Sequence, residues 1–395
     1  MKTGILYERS ETDEMGIKLT AKEMGIDLEY IPFRKISICL HDNGYRIRSV
    51  GKDYSSIVKD VAVVLNRTQS KNRRLLAAYL MEKLGKHVIN PSQVEFLCYS
   101  KLRTLLQLWA ARIRVPKTVY VPCDSLETTK DGGEIHNEVE IADLIQQELG
   151  IKEIVMKPDA GTHGKKVNLS RNRKELLMNI QETNPSIINP MGILAQELVQ
   201  KWFYDLRIVV FKEKGKSPVC HPKALARAGF KDFRTNTFLG NLVFDTELPL
   251  HIRDLAVKCG KAIGRDNHGW LFAFDAMINV GENKTADDEY VKSELDKLAT
   301  SFDVIRRVKA DQTKRKDFPA WNSKLEEAFQ NYKRSEPYEK VRRVIEESVE
   351  RSKHEIVFHE ANSCPEFWEQ TRLIAGINLA VPLFKIAQSI TESDH

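Results

Sequence analysis

The sequence predicts an α/β (α+β) fold in two or three domains, and three observations carry that prediction. A chain of 395 residues is too long for one ordinary core. Its first hundred residues alternate short apolar runs with helically spaced segments, the pattern of strands joined by helices. Farther on, an almost unbroken apolar run, WLFAFDAMINV (270–280), and a second segment of buried-strand style, EIVFHEANSCPEFW (355–368), enclose a block in which nearly half the residues are charged; the two look like neighbours of one sheet separated by an insertion. Three units are therefore expected: 1–98, 99–190 and 191–395, the last interrupted by the charged block at about 281–355.

In the first unit TGILY (3–7) reads as a short buried strand, and ETDEMGIKLTAKEMG as a helix with Met15, Leu19 and Met24 on one side. DLEYIPF, VAVVLN (61–66), a helix near 71–84 stopped at Gly85, and KHVIN complete a unit with a parallel sheet. Such a sheet opens its sites at the carboxyl ends of its strands, where Arg67 and Ser70 fall. SKLRTLLQLWAARIRVPKTVYVP (100–122) is an amphipathic helix closed by proline and followed by an extended stretch. A helix over 139–150, the strand IKEIVMKP, the helix NRKELLMNIQETN and the buried strand MGILAQELVQ (191–200) follow. YDLRIVVFKE and SPVCHPKALARAG read as a hairpin pair, and LPLHIRDLAVKCGKAIGR as a helix. The block from Gly281 to Glu355 shows little apolar periodicity before Trp321, so a helical excursion or a partly disordered arm is expected, with EKVRRVIEESVERSKHE a helix of salt-bridge type.

Composition narrows the function. The formal charge of +6 rests on 61 basic and 55 acidic side chains, a well-solvated surface and not a nucleic-acid footprint. A phosphate-rich ligand is allowed by it without being implied. Six scattered cysteines (Cys39, Cys98, Cys123, Cys220, Cys259, Cys364), with no C-x-x-C, fit the reduced thiols of a cytosolic protein. The opening MKTGILYERSETDE turns acidic where a secretory leader turns apolar, and no apolar run approaches the roughly 18 residues of a membrane helix. A cytoplasmic protein without membrane contact is expected.

Two acidic anomalies point to chemistry. Asp275 in FAFDAMI stands in a strand otherwise apolar on both faces, where a carboxylate needs a partner, either an ion pair or a bound cation. Glu360 and Asn362 in FHEANS project to one face, because strand side chains repeat every second residue. Together the three offer only oxygen, the preference of Mg²⁺. Zinc is disfavoured: HEANS lacks the second histidine of H-E-x-x-H, and His354 and His359 read as surface or core residues. VMKPDAGTHGKKVNL (155–169) sets Lys157 on a strand end before a cationic loop holding Gly161 and Gly164. Neither G-x-x-x-x-G-K-[ST] nor G-x-G-x-x-G fits it, so a nucleotide loop and a plain basic hairpin both stand. Lys101, Arg207 and Arg234 also fall at ends of predicted elements, where a solvated surface charge is the ordinary reading.

In their order along the chain these segments resemble the ATP-grasp ligases, most closely the RimK type, which adds glutamates to a ribosomal protein, and the LysX type, which joins an amino acid to a carrier protein. The resemblance spans nearly the whole chain outside the charged block. It implies an ATP-grasp fold behind an amino-terminal parallel-sheet pre-ATP-grasp domain, to which ILYERSETDE and VLNRTQSKNRRLL are similar. It also implies roles. Lys101 and Lys157 would meet the ATP phosphates, under a lid hinged at Gly161 and Gly164 that excludes water. Glu197 and Leu198 of AQELV would line the adenine pocket, and Asp205 of YDLR would face the ribose. Arg207, with Arg234 and Asn236 of FRTNTFLGN, would hold the transferring phosphate; Asp275, Glu360 and Asn362 would hold two Mg²⁺ ions, for which Mn²⁺ can substitute.

The implied reaction is an ADP-forming ligation of a carboxylate to an amine through an acyl phosphate. Its substrates would be an amino acid and a carboxylate-bearing protein, peptide or cofactor, with neither nucleic acid nor membrane expected as a partner and a homo-oligomer suggested by analogy. Two departures stand out: the insertion of roughly eighty residues between Asp275 and Glu360, and NSCPEFWEQT, which mixes the proline of the RimK type with the E-F of the LysX type. Trp202 and Trp368 lie near the implied site as pocket or core residues. Two other readings are an ATP-grasp kinase of a small polyol and a non-catalytic scaffold.

Overall fold

The computed structural model describes residues 2–9, 11–42, 44–122, 137–150, 153–161, 164–183, 192–234, 240–280, 285–312, 316–352 and 355–392. Cys123, Asn236 and His354 lie outside them. The chain opens with β1 (Lys2–Tyr7), α1 (Thr12–Glu23), β2 (Leu28–Pro32), β3 (Ser37–His41), β4 (Gly44–Ser49), β5 (Lys52–Asp53), α2 (Ser55–Asp60), β6 (Val61–Arg67), α3 (Lys71–Lys83), β7 (His87–Ile89) and α4 (Ser92–Tyr99). Aliphatic and β-branched residues fill the first, second, sixth and seventh strands, which pair in parallel in the order β2-β1-β6-β7. A small antiparallel sheet, β3-β4-β5, was not foreseen. Its first strand, SICLH, is exposed at every residue, so no buried alternation marks it.

Next come α5 (Lys101–Ala110), β8 (Thr118–Val121), α6 (Glu138–Leu149), β9 (Ile154–Lys157), β10 (Asn168–Ser170), α7 (Arg173–Thr183) and β11 (Ile193–Glu197). The four strands form an antiparallel sheet in the order β10-β9-β11-β8. The remainder is β12 (Tyr204–Lys212), β13 (Val219–Cys220), β14 (Lys223–Ala228), β15 (Leu242–Glu247), α8 (Leu250–Gly264), β16 (Trp270–Ile278), α9 (Asp288–Ala310), α10 (Phe318–Lys333), α11 (Glu336–Arg351), β17 (Ile356–Asn362), α12 (Gln370–Ala375) and α13 (Ala380–Glu392). Here the antiparallel order is β15-β14-β12-β16-β17, with β13 beside β12.

The described part of the charged block is mostly three helices, α9, α10 and α11, and it is periodic. Val291, Leu295, Leu298, Phe302 and Ile305 of α9 are all buried, at spacings of four and three residues. This corrects the expectation of little periodicity before Trp321; the stripe is narrow and a charged majority surrounds it. The three inserted helices pack on the edge of the carboxy-terminal sheet, where Tyr332 donates to the Val243 carbonyl (3.1 Å) and Tyr338 to the Asp245 carboxylate (2.5 Å).

The amino-terminal unit shares one apolar core with this sheet, running from Ile5 and Val63 to Phe272 and Phe358. Asn90 locks the two together: its amide donates to the carbonyls of Leu271 (2.7 Å) and Ser363 (2.8 Å) and accepts from the Leu271 N–H (2.8 Å). Asp13 accepts the N–H groups of Phe367 (3.3 Å) and Trp368 (2.9 Å). The segment after β17 is therefore held from the amino-terminal side. Among the described residues no helix is long and apolar enough to cross a membrane.

Candidate active site

Between the three sheets lies a cleft of about 1360 Å³. Its lining includes Lys101, Lys157, Gly161, Gly164, Glu197, Leu198, Asp205, Arg207, Arg234, Asp275, Glu360 and Asn362, every described residue to which the sequence assigned a role. Asn236 lies outside the described residues.

Strand register explains how the acids meet. Asp275 on β16 stands directly opposite Glu360 on β17, although 85 residues separate them in sequence, and Asn362 lies two positions on. The register slips between Asp275 and Ala276, leaving His359 as the extra residue of β17. Asn362 donates its amide N–H to Asp275 (3.4 Å).

Both ways of satisfying Asp275 were open from sequence, and the structure fills the ion-pair one. Arg207, directly opposite on β12, donates to both carboxylate oxygens at 2.9 and 3.0 Å. Arg227 of β14 approaches to 3.1 Å. Burial would raise the Asp275 carboxyl, but these two guanidinium groups hold it far below the usual carboxylate range. Arg227 also forks onto Asp205, opposite it across β12 and β14, at 2.7 and 2.6 Å. Asp205, Arg227, Asp275 and Arg207 thus form one buried row of alternating charge. Asp205 borders the cleft as foreseen, with both oxygens engaged by an arginine that sequence reasoning missed. KALARAG reads as an apolar strand, and only the pairing register reveals what its arginine faces.

The cations around Glu360 come from three elements. Lys101 is the first residue of α5, capped by Ser100, whose hydroxyl accepts from the Arg103 N–H. Its ammonium donates to the carbonyls of Pro158 (3.1 Å) and Gly161 (2.9 Å), and the Asp159 carboxylate accepts from Ser100 (2.9 Å) and the Leu102 N–H (2.8 Å). These bonds tie the base of the glycine loop to the helix start. Lys157 ends β9 and projects into the cleft. Burial pushes both lysines down to about 8, with Glu360 opposing the shift. The third cation, Lys71, opens α3; its ammonium lies 3.8 Å from Glu360. Burial tends to raise the Glu360 carboxyl, yet Lys101 and Lys71 keep it below its ordinary value. Burial pushes the His359 imidazole down to about 4, with Lys157 adding to the shift.

The loop glycines are used differently. Gly164 has φ +67°, the left-handed region, whereas a Cβ at Gly161 would lie 2.5 Å from the Pro158 ring. Arg234 is anchored beside them, forked onto Asp232 at 3.0 and 2.6 Å and donating to the Gly164 carbonyl at 3.1 Å. At the opposite wall the Glu197 carboxylate accepts from the Lys117 N–H (2.9 Å), and the Leu198 N–H donates to the Glu153 carbonyl (3.4 Å). Trp202 lines the cleft and donates to Asp288 (2.6 Å); Trp368 is core, bonded to Asn322 (2.8 Å). Both partners belong to the inserted helices, so the insertion braces the site from outside.

Among the described residues no three His, Cys, Asp or Glu side chains converge as a metal site. The oxygen set here is two carboxylates and one amide. Asn362 donates an amide N–H to Asp275 and keeps its carbonyl oxygen, which with the Glu360 carboxylate makes a donor pair that fits a hard divalent ion. Asp275 completes that set only by sharing its oxygens with Arg207.

A model of the RimK-like ATP-grasp domain matches residues 128–277. The α-aminoadipate–LysW ligase LysX of Sulfolobus acidocaldarius is 27% identical over 254 residues, which cover 64% of this chain and 80% of that protein. The structure is similar over 100% of the chain to D-cycloserine synthetase DcsG (TM-score 0.56, 12% identity, 99% of that chain covered). The ATP-grasp ligase PsnB, complexed with a minimal precursor, gives a TM-score of 0.53 at 12% identity, covering 100% of this chain and 99% of that one. At such identities the structural likenesses speak to fold alone.

Proposed function

With the chain a RimK/LysX-like ATP-grasp protein and an ATP-dependent ligase, we propose that it joins an amino acid to the carboxylate of a protein, peptide or cofactor by way of an acyl phosphate. One carboxylate oxygen attacks the γ-phosphorus, the bond to the β-phosphate oxygen breaks, and ADP leaves. The amine nitrogen then attacks the acyl carbon, phosphate departs with the carboxylate's oxygen, and the amine loses a proton to solvent as the amide forms. The observation that carries this reading is the gathering of Lys101, Lys157, Arg234, Glu360 and Asn362 around one cleft from separate elements.

In this reading Lys101 and Lys157 neutralise the phosphates, and the loop through Gly161 and Gly164 covers them and excludes water from the anhydride. Arg234, linked to that loop through the Gly164 carbonyl, couples closure to the transferring group. Arg207 grips the same group while remaining beside Asp275, and Arg227 keeps Asp205 in place near the ribose. Glu197 and Leu198 border the adenine. Asp275, Glu360 and Asn362 are the proposed ligands of two Mg²⁺ ions, which when bound draw charge from the β- and γ-phosphates. The units 1–98, 99–190 and 191–395 are proposed as the amino-terminal, central and carboxy-terminal domains of a cytoplasmic enzyme, assembled as a homo-oligomer.

The test is a screen of ADP release across carboxylates and amines, with mass spectrometry of the product. Release that requires both partners, with a product one water lighter than their sum, supports ligation. Release with a polyol alone, and a product heavier by one phosphoryl group, replaces it with a kinase.

A further inference from the structure

One cation in the cleft has no part in the assignments above. Lys71 belongs to the amino-terminal unit, in the stretch VLNRTQSKNRRLL, and its side chain is only 11% exposed. Its one charged partner is Glu360, at 3.8 Å, too far for a hydrogen bond, and among the described residues its ammonium makes none. An ammonium at the end of a largely buried side chain, with its donors unspent, is placed to take up an anion. The position is fixed by its surroundings. Ser70 precedes it as the helix cap, and the Glu8 carboxylate accepts the N–H groups of Gln69 (3.1 Å) and Ser70 (3.0 Å), so the start of α3 cannot swing away. Arg74, one turn on, is spent on Glu95 (2.8 Å) and the Thr68 carbonyl (2.9 Å). Lys71 thus keeps its ammonium donors open on that wall.

We propose that Lys71 receives the substrate carboxylate and holds it against the nucleotide's terminal phosphate. This rests on the ligase reading above. Two anions must come together for the first step, and the other lysines near Glu360 belong to elements of the central unit. Lys101 is bound to the glycine-loop carbonyls, and Lys157 ends a strand of the central sheet. A cation supplied by the amino-terminal unit offsets that repulsion. The competing role is a counter-ion for Glu360 alone.

The two roles separate with ¹³C-carboxyl acetate as the probe and the full-length protein saturated with Mg²⁺ and a non-hydrolysable ATP analogue. Line broadening of acetate by the wild type, weakened about tenfold or more in Lys71→Met and largely kept in Lys71→Arg, is expected, with nucleotide affinity little changed in both. Equal broadening by wild type and Lys71→Met, or none by either, overturns the proposal. So does a Lys71→Met variant that loses nucleotide and Mg²⁺ affinity, because the lysine then serves Glu360. Failure of the wild type to bind the nucleotide at all counts against the ligase reading instead. Circular dichroism of both variants checks folding.

Discussion

Removing the Arg227 guanidinium by Arg227→Met should destabilise the carboxy-terminal sheet far more than the loss of a surface charge. The side chain is 5% exposed and donates two short hydrogen bonds to Asp205, with a third approach to Asp275. Asp275 keeps Arg207. Among the described residues Asp205 has no other side-chain hydrogen bond or ion pair and is itself 4% exposed, so the variant strands a buried carboxylate. Breaking a buried pair in this way costs about 3–5 kcal/mol, against at most about 1 kcal/mol for an exposed pair. Urea denaturation followed by tryptophan fluorescence reads the difference. One further result is expected. Arg227→Met combined with Asp205→Asn recovers part of the loss, because the stranded charge is gone. A single variant within about 0.5 kcal/mol of wild type, or a double variant no better than the single, would refute the reasoning.

Nucleotide affinity should depend on pH through Lys101 and Lys157, which burial lowers to about 8. A polyanion binds the charged forms, so affinity is full below pH 8 and falls above it, by up to about tenfold per pH unit for each lysine; calorimetry between pH 7 and 9.5 that shows a flat profile contradicts this. Glu360→Gln is expected to cut turnover by about a hundredfold or more while leaving the urea midpoint in place, since volume is conserved and one metal charge is lost. Glu14 is buried and its carboxyl pushed up to about 7 by burial, with Asp13 adding to the rise and Arg67 opposing it. Its folded value exceeds the unfolded one, so stability contributed by the protonated form is present below about pH 4.5 and lost as pH climbs through 7. Glu14→Gln should therefore stabilise the protein at pH 8 by about 1–3 kcal/mol and flatten that fall; a destabilised variant at pH 8 would show that Arg67 dominates.

The strands that carry the acids were legible because apolar runs that leave no polar face make a lone carboxylate conspicuous, and because a period of two sets Glu360 and Asn362 on one side. The buried-strand segments on either side of the charged block pointed to neighbouring strands, as β16 and β17 are, but the register that sets Asp275 opposite Glu360 was not legible, since no local pattern encodes register between strands so far apart. Arg227 was illegible for the same reason: an arginine in an alanine-rich strand has no signature until Asp205 stands opposite. Helix α9 could have been read from its four-three spacing, but attention to its charges concealed Val291, Leu295 and Leu298. Lys71 looked like one of several basic residues at a helix start, and burial alone distinguishes it from Arg73, whose side chain is 46% exposed. The hairpin β3-β4-β5 carries too little buried surface to leave a mark.

The account depends on a carboxylate being activated by phosphorylation inside this cleft. Once the screen supplies a substrate, that carboxylate can be enriched in ¹⁸O and the released phosphate weighed. One ¹⁸O in the phosphate for each bond formed is the predicted result, because the acyl phosphate's bridging oxygen comes from the carboxylate. Unlabelled phosphate alongside a completed amide contradicts it.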